Sequence, residues 1–109
     1  MRIIGVDPGL VTTGYGVIDV NGRSTVAIEG GISKTKASDA LEFRLAAIYR
    51  DIKEVLEEYK PNVMAVEDLH SRYRNLKTAI IMGHARGVVV LAAGEVGIPV
   101  FHYQPTQAK

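Results

Sequence analysis

The sequence contains no cysteine. That absence excludes disulfide bonds, thiol catalysis and thiolate metal sites. It also lacks any run of 18 apolar residues free of charge, so no membrane-spanning helix is expected. No basic segment leading into an apolar stretch and a cleavage site opens the chain, because Asp7 interrupts the first apolar run. Charge of one sign is missing as well. Thirteen Lys and Arg face 12 Asp and Glu, for a net charge of +1, so composition by itself does not announce a nucleic-acid binder. Internal repeats, low-complexity tracts and linkers are absent. These absences leave a cytoplasmic location as the default expectation, with no membrane partner.

What is present reads as one globular domain spanning 1–109. The composition, 47% hydrophobic and 23% charged, is ordinary for a soluble fold near the lower end of the lengths that bury a single core. The charges are unevenly placed. Asp39, Glu42, Asp51, Glu54, Glu57 and Glu58 are half of the 12 acids, whereas the stretch HSRYRNLK (70–77) holds Arg72, Arg74 and Lys77 with no acid. Lys34 and Lys36 add to a possible basic edge, or serve only as solubilising charges at a strand end.

Hydrophobic patterning predicts the order βββ-α-β-α-β. Residues 2–7 (RIIGVD) are apolar on both faces and read as a central strand. Pro8-Gly9 signals a turn, proline fixing its φ and glycine tolerating positive φ. Residues 12–20 form a second strand, and Asn21-Gly22 a hairpin into a third at 24–32. Asp39 with Glu42 resembles a capping box opening a helix. Its apolar stripe runs Leu41, Leu45, Ile48, Ile52, Leu56 and Tyr59, and Pro61 ends it. Residues 63–67 (VMAVE) make a buried strand, 76–96 a helix apolar almost all round, and 98–103 a fifth strand. A sheet apolar on both faces calls for helices on both. Two helices are a thin supply, and both could lie on the same face.

Asp7 and Glu67 each close a buried strand at its C-terminal end. A helical crossover would place the fourth strand parallel to the first and beside it. The two carboxylates would then stand one strand spacing, about 4.8 Å, apart. Like charges so close disfavour each other, and a hard cation with oxygen ligands, Mg²⁺ or Mn²⁺, relieves them. Either acid alone has a plainer reading: Asp-Pro-Gly is a common turn, and Glu67 could simply meet water at a strand end. The following loop interleaves His70 and Tyr73 with Arg72 and Arg74, rings for unstacked bases and guanidinium groups for phosphates, or else a solvated loop. In the second helix Gly83, Ala85 and Gly87 permit close backbone approach, and a symmetric partner helix is the preferred occupant of its outer face. His84 reads as a surface histidine.

Taken together, IIGVDPGLVTTGYGVI, AVED (65–68), GHARGVVVLAA (83–93) and PVFHYQPTQAK (99–109) resemble the RuvC-type Holliday-junction resolvases of the ribonuclease-H-like superfamily. The resemblance runs through essentially the whole chain in order. It implies a mixed five-stranded sheet, three antiparallel strands followed by parallel ones. It further implies a homodimeric, Mg²⁺-dependent endonuclease, with Mn²⁺ able to substitute, that makes paired symmetric nicks in four-way DNA junctions beside a branch-migration helicase. Two metal ions and four carboxylates are implied; Asp7 and Glu67 match the acids of the first and fourth strands. His70 falls where the family often carries a base-stacking aromatic, with Tyr73 a nearby substitute, and Lys109 matches a basic residue near the DNA backbone. Gly83, Arg86, Gly87 and Val90 fall in the helix expected at the dimer interface.

One departure matters. The family pattern continues into a helix that supplies the other two acids, yet no Asp or Glu lies beyond Glu95 in this sequence. The expectation is therefore an incomplete resolvase domain lacking its C-terminal helix, binding metal weakly, not cutting alone, and baring one face of its sheet. Alternatives are a catalytically inactive structure-specific DNA-binding protein, a ribosomal-RNA-processing nuclease of the same fold, and an actin-like ATPase. The last needs two such domains, and 109 residues do not supply both.

Overall fold

The computed structural model describes residues 1–68 and 75–104. Five strands, β1 (Arg2–Asp7), β2 (Thr12–Asn21), β3 (Ser24–Lys34), β4 (Val63–Glu67) and β5 (Val100–Tyr103), form one sheet ordered β3-β2-β1-β4-β5. The β1–β2–β3 meander is antiparallel, while β4 runs parallel to β1 and β5 parallel to β4. Helix α1 (Leu41–Tyr59) makes the crossover from β3 to β4, and α2 (Leu76–Val96) that from β4 to β5. The architecture is the α/β arrangement expected from the hydrophobic pattern.

Both helices lie on one face. Ile4 and Val6 of β1, Val17 of β2, and Met64 and Val66 of β4 project to that side. They share a core with Ile48, Ile52 and Leu56 of α1 and Ala85, Val89, Ala92 and Ala93 of α2. The opposite face carries Gly5, Gly14, Gly16 and Ala65, together with Phe101 and Ile32, exposed at 60% and 57%. Among the described residues, no helix covers it.

Local expectations fared unevenly. The Asn21-Gly22 hairpin forms, with Asn21 paired to Ser24 and Gly22 at φ 65°. Positive φ falls on the first of the two loop residues, which is the position a type II′ turn reserves for glycine. The capping box does not form. α1 opens at Leu41 behind Ala40, which makes no side-chain cap, so Asp39 sits one residue too early. At the other end Lys60 takes a left-handed conformation, its N–H returns to the Leu56 carbonyl, and Pro61 forbids continuation. The expectation about spanning segments also needs correction: α2 is long and apolar enough to cross a membrane by length and composition. It nevertheless places Ala85, Val89, Ala92 and Ala93 in the core, and carries Lys77, Arg86 and Glu95 along its length. Its last turn meets α1 through Tyr49 and Lys53, both hydrogen-bonded to Glu95; the Lys53 bond is 2.9 Å long.

The far end of the sheet is pinned by Arg2. Its guanidinium forks onto Asp19 (2.8 and 3.0 Å) and donates to the Tyr59 carbonyl at 2.9 Å, while its backbone N–H reaches Asn62. The hydrogen bonds from Arg2, and secondarily its charge, hold the Asp19 carboxyl below its ordinary pKa against the opposing effect of burial. A lowered folded-state pKa means that this contribution is complete above the unfolded value and disappears as pH falls through the folded one. Urea midpoints of the wild type should therefore drop below about pH 4. Asp19→Asn should flatten part of that acid limb, and an unchanged limb would show the pair to be incidental.

Candidate active site

Register places the two acids. β1 and β4 pair in parallel as Ile3–Val63, Ile4–Met64, Gly5–Ala65 and Val6–Val66. The next residue on each strand is Asp7 and Glu67, so both carboxylates emerge from adjacent strands at the same end and on the open face. Continuing the row, Glu67 pairs with Tyr103 of β5. The Tyr103 phenol stands beside both acids: burial raises its pKa first, and the charges of Glu67 and then Asp7 raise it further. Asp7 is exposed and Glu67 half-buried, which suits groups that must meet a ligand from solvent.

The turn after Asp7 is braced from within. The Thr13 hydroxyl, fully buried, accepts from the Gly9 N–H at 3.2 Å and donates to the Gly9 carbonyl at 2.7 Å. Thr35 secures the next two residues, its hydroxyl donating to the Leu10 carbonyl (2.5 Å) and its N–H to that of Val11 (3.0 Å). Gly9 does not use positive φ, which among the glycines described is confined to Gly22 and Gly97. The sequence expectation for Gly9 was thus wrong in its reason. Glycine is needed there for space, since a Cβ would stand 2.4 Å from the Thr12 carbonyl oxygen.

The strand carrying Glu67 is braced by Arg86. From the middle of α2 its Nε donates to the Glu67 carbonyl at 3.2 Å, and Nη2 lies 3.2 Å from Asp68 Oδ1 and also contacts the His102 ring. Asp68 in turn donates its N–H to the Tyr103 carbonyl at 2.7 Å. One cation therefore ties together the ends of β4 and β5. Arg86→Met should cost about 2 kcal/mol, in the range of hydrogen bonds to charged groups, and should weaken Mn²⁺ binding several-fold. Urea unfolding and a Mn²⁺ titration check this, and unaltered Mn²⁺ affinity would reduce Arg86 to a packing residue.

The other expected residues are distributed as follows. His70, Arg72, Tyr73, Arg74 and Lys109 lie outside the described residues. Lys77 is exposed in the first turn of α2, its N–H held by the Asn75 side chain at 2.9 Å. Gly87 is exposed and Gly83 and Val90 half-buried on α2, whereas the Arg86 guanidinium turns inward to the strand ends. No group of three or more His, Asp or Glu side chains converges among the described residues. Sequence reading did not place Tyr103 at the site. Its signal was the two-residue alternation in VFHY, which puts Tyr103 on the same face as Phe101 and Ala65.

This strand order, with acids ending two adjacent parallel strands, defines a protein of the ribonuclease-H-like fold. The chain belongs to the RuvC family, crossover junction endodeoxyribonuclease RuvC, which its residues 3–109 match. Members of that family are metal-dependent nucleases. The crossover junction endodeoxyribonuclease RuvC of Rhodopirellula baltica is 48% identical over 107 residues, 98% of this chain and 60% of its own length. That of Brevibacillus brevis is 40% identical over 109 residues, 100% of this chain and 65% of its own. This chain thus spans less than two thirds of the length of either relative. Thermus thermophilus RuvC, solved in complex with Holliday junction substrate, matches with a TM-score of 0.93 at 34% identity, covering 100% of this chain and 68% of that one. These matches favour neither the ribosomal-RNA-processing nor the actin-like alternative.

Proposed function

We propose that Asp7 and Glu67 are metal-holding carboxylates of an endonuclease that resolves four-way DNA junctions by paired symmetric nicks, in recombination and repair. The observation that carries this reading is the in-register parallel pairing of β1 with β4, which ends on the two acids. The similarity to RuvC proteins, one of them solved with a Holliday junction, supports the substrate. The donors are all oxygen and suit a hard cation, Mg²⁺ with Mn²⁺ as substitute. Such a cation supplies Lewis-acid stabilisation to a phosphodiester. Around it, Arg72, Arg74, Lys77 and Lys109 hold phosphates, and His70 and Tyr73 stack on unpaired bases. Two cations would require two further carboxylates. With two acids the 109-residue unit, read as a single nuclease domain, holds a cation weakly and binds junctions without cutting them.

The α2 face bearing Gly83, Gly87 and Val90, flanked by the exposed Ile80 and Leu91, is the proposed homodimer contact. Arg86 is left out because its guanidinium is engaged at the strand ends. A branch-migration helicase is the proposed working partner, and the cytoplasm the proposed location.

Gel-shift titration of the 109-residue chain with a four-way junction in Mg²⁺ tests this. A retarded complex without nicked product is expected. Nicking would refute the need for further acids, and equal affinity for a linear duplex would refute junction recognition. Alanine at Arg72 and Arg74 should lower the salt slope of binding by about one for each phosphate no longer neutralised.

A further inference from the structure

On the helix side of the Asp7 turn lies a groove of about 550 Å³ that none of the residues assigned above lines. Its walls are the Gly9–Thr12 turn, Ala37 and Arg44 on one side and Thr78, Ile81 and Met82 of α2 on the other. We infer that this groove seats the sugar-phosphate backbone of a DNA strand next to the acids, with Arg44 as its principal phosphate ligand. The inference rests on the nuclease reading and adds a subsite to it.

The chemistry of the walls argues for that occupant. Arg44 uses Nε to donate to Thr35 Oγ1 at 2.9 Å, and among the described residues no carboxylate pairs with its guanidinium. The positions one turn away along α1, Ala40, Leu41, Ala47 and Ile48, carry no acid. The bond to Thr35 fixes the guanidinium plane and leaves the two terminal nitrogens to donate, the geometry that suits a phosphate. More positive charge lies close by in sequence. Lys36 and Lys77 directly precede the lining residues Ala37 and Thr78, while Lys34, in register opposite Thr12, alternates with Ile32 onto the open face where the acids stand. Asp39 and Glu42, the acids nearest in sequence to Arg44, do not line the groove. Thr12 and Thr78 are exposed and offer hydroxyl donors, while Leu10, Ile81 and Met82 provide an apolar floor for deoxyribose carbons.

Position argues for the same occupant. Gly9 is two residues from Asp7, so their Cα atoms are at most about 7 Å apart. With a rise of about 3.4 Å per nucleotide along one strand, a backbone that leaves the groove and passes over the Asp7 turn to the open face reaches the acids within a few nucleotides. The turn that aims Asp7 is therefore also a wall of the groove. A strand gripped here would be aligned by the same element that holds the metal-binding carboxylate.

The test uses fluorescence-anisotropy titration of a four-way junction at several salt concentrations, with Arg44→Gln and the double variant Lys34→Gln/Lys36→Gln. Glutamine keeps an N–H that can reach Thr35, and the two lysines lie at the end of β3 and in the turn beyond it, away from the core, so the fold is spared. Arg44→Gln should weaken binding roughly tenfold and lower the salt slope by about one; the lysine pair should lower the slope by one to two, again about one per phosphate. Methyl NMR of the wild type should show Met82 and Ile81 shifting on addition of junction. Unchanged slopes and unmoved methyls, with alanine at Arg72 and Arg74 still weakening binding, would overturn the groove and leave the nuclease reading standing. No junction binding by the wild-type chain would overturn both.

Discussion

Asp7→Asn should abolish measurable Mn²⁺ binding while leaving the fold and junction binding intact. The amide matches the carboxylate in size, and the Asp7 side chain is exposed at the end of β1, so the core packing is untouched. What disappears is one of the two charged oxygen donors. Glu67 alone, half-buried beside Tyr103, is a poor site for a hard cation that otherwise keeps its waters. In a protein carrying the full acid set, cutting should fall on the order of 10³-fold, equivalent to about 4 kcal/mol of transition-state stabilisation. Junction affinity should hold or rise, because a negative charge is removed from beside the phosphates. Mn²⁺ binding followed by electron paramagnetic resonance, together with parallel gel-shift and cleavage assays, separates these effects. Equal loss of junction binding and cutting, or a large fall in thermal stability, would return Asp7 to the role of a turn residue.

The elements that position this residue were readable because their sequence signals are local. A strand apolar on both faces belongs at the centre of a sheet, and β1 lies third of five. A carboxylate at each of two strand ends becomes informative only when the strands are parallel neighbours, and the crossover through α1 makes them so. The bracing was not readable. Arg86 looked like a residue on the outer face of an apolar helix, because α2 has no polar side to mark which direction is inward. Only the fold shows that it turns toward the ends of β4 and β5. Nothing local sets Arg44 apart from the other charges of an amphipathic helix, and its place beside the Asp7 turn depends on Thr35, nine residues away and outside the helix. The capping box failed for a comparable reason. Ser-Asp-Ala-Leu-Glu offers a cap motif, but Lys36–Asp39 closes a turn of its own and the helix begins beyond it.

Gly9→Ala is expected to be the most disruptive small substitution near the site, and the reason is packing rather than dihedral angle. The added Cβ would meet the Thr12 carbonyl oxygen at 2.4 Å and its carbon at 3.4 Å, both backbone atoms. A flexible side chain could swing away; this carbonyl cannot, because Thr12 opens β2 in register with Lys34. Nor can Gly9 itself retreat, held as it is on both its N–H and its carbonyl by the buried Thr13 hydroxyl. Relief requires moving the whole turn and giving up some of its hydrogen bonds. A cost of roughly 2–4 kcal/mol follows from overpacking combined with broken buried hydrogen bonds. For a domain of this size that lowers Tm by about 10–15 °C. Gly22→Ala gives the contrast: a Cβ there meets nothing within 4 Å, and only the positive φ is strained, for about 1 kcal/mol. The two variants should therefore differ clearly in thermal melts, and only Gly9→Ala should also lower Mn²⁺ affinity, since Asp7 is carried by the displaced turn. If Gly9→Ala melts with the wild type and binds Mn²⁺ as well, the turn is loose enough to absorb a methyl group. The placement of Asp7 opposite Glu67 would then rest on strand pairing alone.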